Sequence, residues 1–171
     1  TLWGSAFRVA VVEIDDYRDA NSLDDKQKQE RSLMAFVVYN VAQEIVEKQH
    51  AGEVFQGKDY RTVLLLETNR PAELGQRLHE IAGEINRRLL EIMNMKTTIG
   101  IGGCVKERGE LFRSYEEAMT ALQYRYTYGE ESVLILEEIS GTPERSEAEA
   151  IMERILDCVK RGDRDGIKQC V

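Results

Sequence analysis

Three carboxylates and a lysine stand where chemistry could be done. Glu13 and Asp15 close the run Phe7-Arg8-Val9-Ala10-Val11-Val12, and Lys58 and Asp59 lie in the tight turn Gln56-Gly57-Lys58-Asp59. Carboxylate oxygens are the ligands that hard divalent cations take. They also do plainer work. At the end of a buried strand they cap its polar end, and that is the reading taken for Glu13 and Asp15. Lys58 beside Asp59 reads as a solvated turn. No general base, nucleophile or triad can be assigned elsewhere. Gly100, Gly102 and Gly103 are not followed by Gly-Lys-Ser/Thr, so they read as bends in a strand and not as a phosphate loop. His50 and His79 are separated by two strands and read as surface residues. Tyr115, Tyr124, Tyr126 and Tyr128 have mixed helical spacings and read as core and helix-surface residues.

Other chemistries are disfavoured by composition. Cys104, Cys158 and Cys170 lie far apart with no Cys-x-x-Cys spacing, which reads as free thiols in a reducing cytoplasm and not as a zinc site. Lys and Arg number 23 against 31 Asp and Glu, for a net charge of −8. A duplex binder neutralises phosphates with clustered cations. Here the cations are scattered among acids, so this chain alone is a poor DNA binder. No apolar run approaches a membrane span and no signal peptide opens the chain. The start at Thr1, without Met, reads as that of an excised fragment.

The elements that must position these residues follow from periodicity. Phe7 to Ile14 is short, β-branched and nearly all apolar, the pattern of a strand buried on both faces. A helix is predicted to reach about Gln49, with Met34, Val37, Val38, Val41 and Ile45 on one face. Glu53–Phe55 and Tyr60–Leu66 read as a hairpin around the turn that carries Lys58 and Asp59. Pro71 suits a first helical turn, and after it Leu74, Leu78, Ile81, Ile85, Leu89 and Ile92 form a long stripe. Thr97–Gly102 is a strand with interleaved glycines. Ser114-Tyr115-Glu116-Glu117 has the form of a capping box, opening a helix with Ala118, Ala121, Leu122 and Tyr126 that Gly129 ends. Ser132–Leu136 is a last strand. A second box, Ser146-Glu147-Ala148-Glu149, opens a helix with Met152, Ile155, Leu156 and Val159 on its apolar side.

This order begins with the β-α-β-β-α-β ferredoxin-like pattern. The fold class expected is therefore α+β, a ferredoxin-like βαββαβ core with a mixed, largely antiparallel sheet, plus a C-terminal helical connector. The break at Ser140-Gly141-Thr142-Pro143 divides residues 1–139 from a connector at 140–171.

With these joints the chain resembles the GGDEF domain of diguanylate cyclases, from about Phe7 to Leu136. Glu13-Ile14-Asp15-Asp16-Tyr17 stands at the family's Asp-x-Asp-x-Phe place, and Gln56-Gly57-Lys58-Asp59-Tyr60 at its Gly-Gly-Asp-Glu-Phe place. Thr98-Ile99-Gly100-Ile101-Gly102 matches a later strand. The run Ser114 to Gly129 resembles the GGDEF-like domains of large AraC-type regulators, and Ser146 to Val171 resembles the connector that precedes their helix-turn-helix pair.

The resemblance implies two GTP molecules joined by carboxylate-held metal, but the residues depart from it. Glu13 replaces the first metal-binding Asp and is one methylene longer. Gln56 puts a side chain where substrate would lie. Lys58 reverses the charge of the motif's Asp, and Asp59 is shorter than its Glu. The expectation is thus a degenerate, non-catalytic site with no metal and no cofactor, and a vestigial cleft near Glu13, Asp15, Lys58 and Asp59. The implied role is regulatory, in a bacterial transcription regulator of the cytoplasm. Its partners would be a receiver or sensor domain and a helix-turn-helix domain of the same chain, with a homodimer possible and DNA met only through that absent domain. A nucleotide effector in the cleft, and behind it a diverged active cyclase, are the alternatives.

Overall fold

The computed structural model describes residues 5–15, 24–129 and 132–140. In order these form β1 (Ala6–Ile14), α1 (Asp25–Lys48), β2 (Gly52–Gln56), β3 (Thr62–Thr68), α2 (Pro71–Met93), β4 (Thr97–Ile101), α3 (Leu111–Gln123), α4 (Arg125–Tyr128), β5 (Val133–Ile135) and α5 (Leu136–Ser140). The chain divides into two compact units, Thr1–Leu136 and Glu137–Val171. The helix expected from Ser146, the connector, and Asp16 and Tyr17 lie outside the described residues.

β1 is the centre of the sheet, whose order is β2-β3-β1-β4-β5. It pairs antiparallel with both β3 and β4, β2 pairs antiparallel with β3, and among the described residues only β4 with β5 is parallel. The expected mixed, largely antiparallel sheet is thus observed. Side chains alternate along a strand, so β1 feeds two cores. Ala6, Ala10, Val12 and Ile14 join α1 and α2 in the larger one. Phe7, Val9 and Val11 join Ala118 and Leu122 of α3 in the smaller. Burial on both faces is what its unbroken apolar run required.

The two long helices cover one face. On α2, which has Pro71 at its start, Leu74, Leu78, Ile81, Ile85 and Leu89 are all buried. Ile92, expected to continue that stripe, is instead exposed, because the helix runs on past the core. The helix stops soon after, at Asn94, in the left-handed conformation. α1 opens at a capping box of Asp24 and Gln27. Its core residues are Val38, Ala42, Ile45 and Val46. Met34, expected on the buried face, is exposed.

The other face holds the largest departure from expectation. Ser114 does not open a helix. α3 begins at Leu111, and Ser114 is a buried residue inside it. Between the pairs Ala10↔Ile101 and Phe7↔Val105 the β4 side carries one extra residue, a β-bulge. That bulge leaves strand groups without ladder partners. The Ser114 hydroxyl accepts from the Val9 N–H at 3.0 Å and donates to the Gly103 carbonyl at 2.7 Å. Glu117 accepts from the Gly103 N–H at 2.6 Å. The Ser-x-x-Glu pair satisfies backbone donors, as a capping box does, but on a neighbouring strand. Glycines allow this approach: a Cβ at Gly102 would lie 1.8 Å from the Ser114 carbonyl oxygen, and one at Gly100 would lie 2.2 Å from that of Ala118.

The helix expected to run on through Tyr126 is broken. α3 ends at Gln123, Tyr124 caps it, and α4 is a separate short helix on which Tyr126 is exposed. Gly129, at φ +92°, ends α4.

Candidate functional site

The polar end of β1 is where the expected site residues gather. Side-chain alternation puts Glu13 on the α3 face, the face of Val11. Val11 lies opposite Val63 in β3, so two places further on Glu13 lies opposite Arg61. On its other side Glu13 is opposite Thr98 in β4. The break between α3 and α4 brings Arg125 to the same point.

The result is an ion cluster drawn from four parts of the chain. Arg61 Nε meets Glu13 Oε2 at 2.7 Å, and Arg125 Nη1 meets Glu13 Oε1 at 2.7 Å. Arg125 Nη1 also lies 3.8 Å from Asp15 Oδ1. Thr98 Oγ1 donates to that same Asp15 oxygen at 2.7 Å. Arg61 reaches back to Asp59, with Nη1 3.2 Å from Oδ2. The Asp15 side chain is fully buried, and those of Glu13 and Arg125 are 14% and 15% exposed.

Electrostatics follow from this packing. Burial alone would raise the Glu13 pKa, but the Arg61 hydrogen bond and charge, with Arg125 after them, hold it below the ordinary carboxylate value. Burial likewise works against the Arg125 charge, yet Glu13 and the Tyr126 hydroxyl push its pKa up. Glu13 and Arg125 are thus each held in the charged form by their neighbours.

The hairpin beside this cluster is tightly wound. The Gly57 N–H donates to the Arg61 carbonyl at 2.8 Å, and the Arg61 N–H donates to the Lys58 carbonyl at 3.1 Å. Tyr60, expected to start β3, belongs to the turn instead. Asp59 and Tyr60 are consecutive left-handed residues, at φ +54° and +63°. Neither is glycine, so the turn stores strain. The Arg31 guanidinium of α1 sits 5.8 Å over the Tyr60 ring. Between α1 and the hairpin lies an open polar cleft of ≈ 430 Å³, lined by Ser32, Ala35, Gln56, Gly57, Asp59, Tyr60 and Arg61.

Of the four expected residues, Glu13, Asp15 and Asp59 are tied together through two arginines, while Lys58 is exposed at the hairpin tip. The residues missed from the sequence are Arg61, Arg125 and Thr98. Arg61 had a signal in principle, since it lies two places beyond Asp59, but its facing Glu13 depends on the β1–β3 register. Arg125 had none: it sits in a tyrosine-rich stretch far along the chain. His50 and His79 are exposed, as expected.

A divalent cation does not fit this set. Both oxygens of Glu13 are taken by guanidinium groups, one oxygen of Asp15 is taken by Thr98, and two fixed positive charges stand among the carboxylates. Among the described residues no group of three His, Cys, Asp or Glu side chains could hold a metal ion. No helix among them is long and apolar enough to cross a membrane.

Comparison with known proteins agrees with this architecture. Residues 4–124 match the family model described as a GGDEF-like domain. Among solved structures, the active GGEEF domain of a diguanylate cyclase from Vibrio cholerae is similar in fold, with a TM-score of 0.55 over 77% of this chain and 83% of that one. The sequence identity is 12%, so the likeness is one of fold alone. No curated protein matches the sequence.

Proposed function

The chain belongs to the GGDEF-like domain family, and from that premise we propose that it is a regulatory domain without cyclase activity. It is the part of a bacterial transcription regulator of AraC type that passes an upstream sensory state to a helix-turn-helix pair. The sensory input comes from a receiver or membrane sensor domain, and the regulatory domain itself works in the cytoplasm. It needs no cofactor and meets DNA only through the helix-turn-helix pair.

One observation carries the non-catalytic reading. The carboxylates at the end of β1, where the cyclase resemblance requires metal ligands, are neutralised by Arg61 and Arg125. A side-chain cation does there the charge balancing that a metal would do, and it offers no open coordination position. The AraC-type context rests on the resemblance of Ser114 to Gly129. The net charge of −8 supports a role that leaves DNA contact to another domain.

A second reading is favoured by the cleft beside the hairpin. At ≈ 430 Å³ and lined by polar groups, it falls in the size range of small-molecule sites. In that reading a nucleotide or other metabolite binds there as an effector without turnover. Thermal denaturation with GTP, ATP and cyclic dinucleotides, each with and without Mg²⁺, separates the two, since a ligand of the native state raises the Tm by mass action. The relay reading expects no rise. A rise that is independent of Mg²⁺ favours the effector site, and a Mg²⁺-dependent rise with GTP speaks for a working cyclase centre.

A further inference from the structure

Glu13 is one carboxylate claimed by two distant parts of the chain. Arg61 immediately precedes β3 and lines the cleft beside the hairpin. Arg125 is the first residue of α4, which precedes β5. Their guanidinium groups take different oxygens of Glu13, Oε2 and Oε1, each at 2.7 Å. The carboxylate itself has little freedom. Glu13 lies in the central strand, opposite Thr98 of β4, and its side chain is mostly buried. The sheet therefore sets its position more than either arginine does. Like charges around one fixed anion repel, and in so buried a place water and salt screen that repulsion weakly. Each arginine thus weakens the hold on the other. Both also have a second carboxylate within reach. Arg61 Nη1 lies 3.2 Å from Oδ2 of Asp59, a 64% exposed side chain on the cleft wall. Arg125 Nη1 lies 3.8 Å from the buried Asp15.

We propose that Glu13 couples the cleft to α4 by charge competition. Drawing Arg61 toward the cleft tightens Arg125 on Glu13 and fastens α4, and releasing Arg125 fastens the hairpin. An anionic group in the cleft, a phosphate or a carboxylate, is what draws Arg61 away, since that side chain is 24% exposed there. Binding in the cleft is then felt at α4 without any change in the sheet between them. The trigger rests on the effector reading given above, whereas the competition rests on the ion pairs alone. The opposite arrangement is a passive staple, in which every contact supports the others. The two differ in sign. Removing one arm of a staple loosens all that it held, but removing one competitor strengthens the other. Linkage makes the coupling equal in both directions.

Amide hydrogen exchange of the whole chain, followed by NMR at neutral pH without ligand, reads that sign. The Gly129 N–H donates to the Arg125 carbonyl and reports on α4, and the Gly57 N–H donates to the Arg61 carbonyl and reports on the hairpin. Arg61→Met removes one competing charge. Protection of the Gly129 amide is expected to rise roughly fivefold or more. Amides of β1 lose protection in the same variant, because a mostly buried carboxylate has lost a partner. Arg125→Met is expected to raise protection of the Gly57 amide likewise, and Glu13→Gln to lower it at both places. A fall or no change at Gly129 in Arg61→Met overturns the proposal, since general loosening never raises protection. A rise in one arginine variant without the other overturns it too. The effector reading is judged separately, by the thermal denaturation series.

Discussion

Glu13 is gripped from both sides, and its removal tests how much the cluster holds. Glu13→Gln leaves Arg61 and Arg125 with less negative charge in a mostly buried place. Breaking such a pair by removing one partner is costly, and a loss of about 2–3 kcal/mol is expected by urea denaturation at neutral pH. The pH dependence has a definite sign. The folded-state pKa of Glu13 lies below its ordinary value of 4.5. Its contribution is therefore fully present above that value and is lost as pH falls through the lower, folded-state one. The stability gap between the unmodified chain and Glu13→Gln closes in acid. A gap that stays constant from neutral to acid pH would contradict the ion pairs. The site residues themselves were half legible. Glu13, Asp15 and Asp59 stood out as carboxylates at strand ends and turns, but their partners did not. A guanidinium that balances a carboxylate leaves no spacing rule in the sequence, and Arg125 is brought there only by the break after Gln123.

At the level of elements, local patterns were good guides wherever packing alone decided. The two-sided run of β1 and the stripe of α2 follow from periods of two and 3.6 residues, which need no knowledge of neighbours. Ile92 shows the limit, because periodicity cannot say where the core stops. Leu89→Ala should cost about 2–5 kcal/mol, and Ile92→Ala no more than about 0.5 kcal/mol. Equal effects would mean that the helix end is buried. Ser114 shows a different limit. The same Ser-x-x-Glu chemistry that caps a helix serves a strand bulge here, and that bulge is formed by a register invisible to local reading. Ser114→Ala leaves the Val9 N–H and the Gly103 carbonyl without their hydroxyl partner. A cost of about 1–3 kcal/mol is expected, whereas loss of an exposed cap would cost about 1 kcal/mol. Hydrogen exchange separates the two roles. The Val9 amide should lose protection in Ser114→Ala, and amides at the start of α3 should not. Gly102→Ala is expected to be worse than either, since its Cβ would press on the backbone of α3 and not on a movable side chain.

For the whole molecule, fold alone does not decide activity. The fold is similar to that of a diguanylate cyclase domain, yet likeness of fold does not carry function. At the end of β1, cations supplied by the protein occupy the surroundings of its own carboxylates. That arrangement supports the proposed reading of a domain kept for its shape and its surfaces. It also predicts a weak response to DNA. With a net charge of −8 and its cations scattered among acids, binding of a duplex at physiological salt should be weaker than about 100 µM by fluorescence anisotropy. Micromolar binding would place a DNA surface in this part of the protein.

The most direct measurement is turnover. The purified chain is incubated with GTP and either Mg²⁺ or Mn²⁺, and cyclic dinucleotide and pyrophosphate are followed by chromatography. With Arg61 and Arg125 balancing Glu13, Asp15 and Asp59, no product above the protein-free control is expected with either metal. Metal-dependent formation of cyclic dinucleotide, lost in Asp15→Asn, would show that the arginines yield to a cation and that the domain is an enzyme.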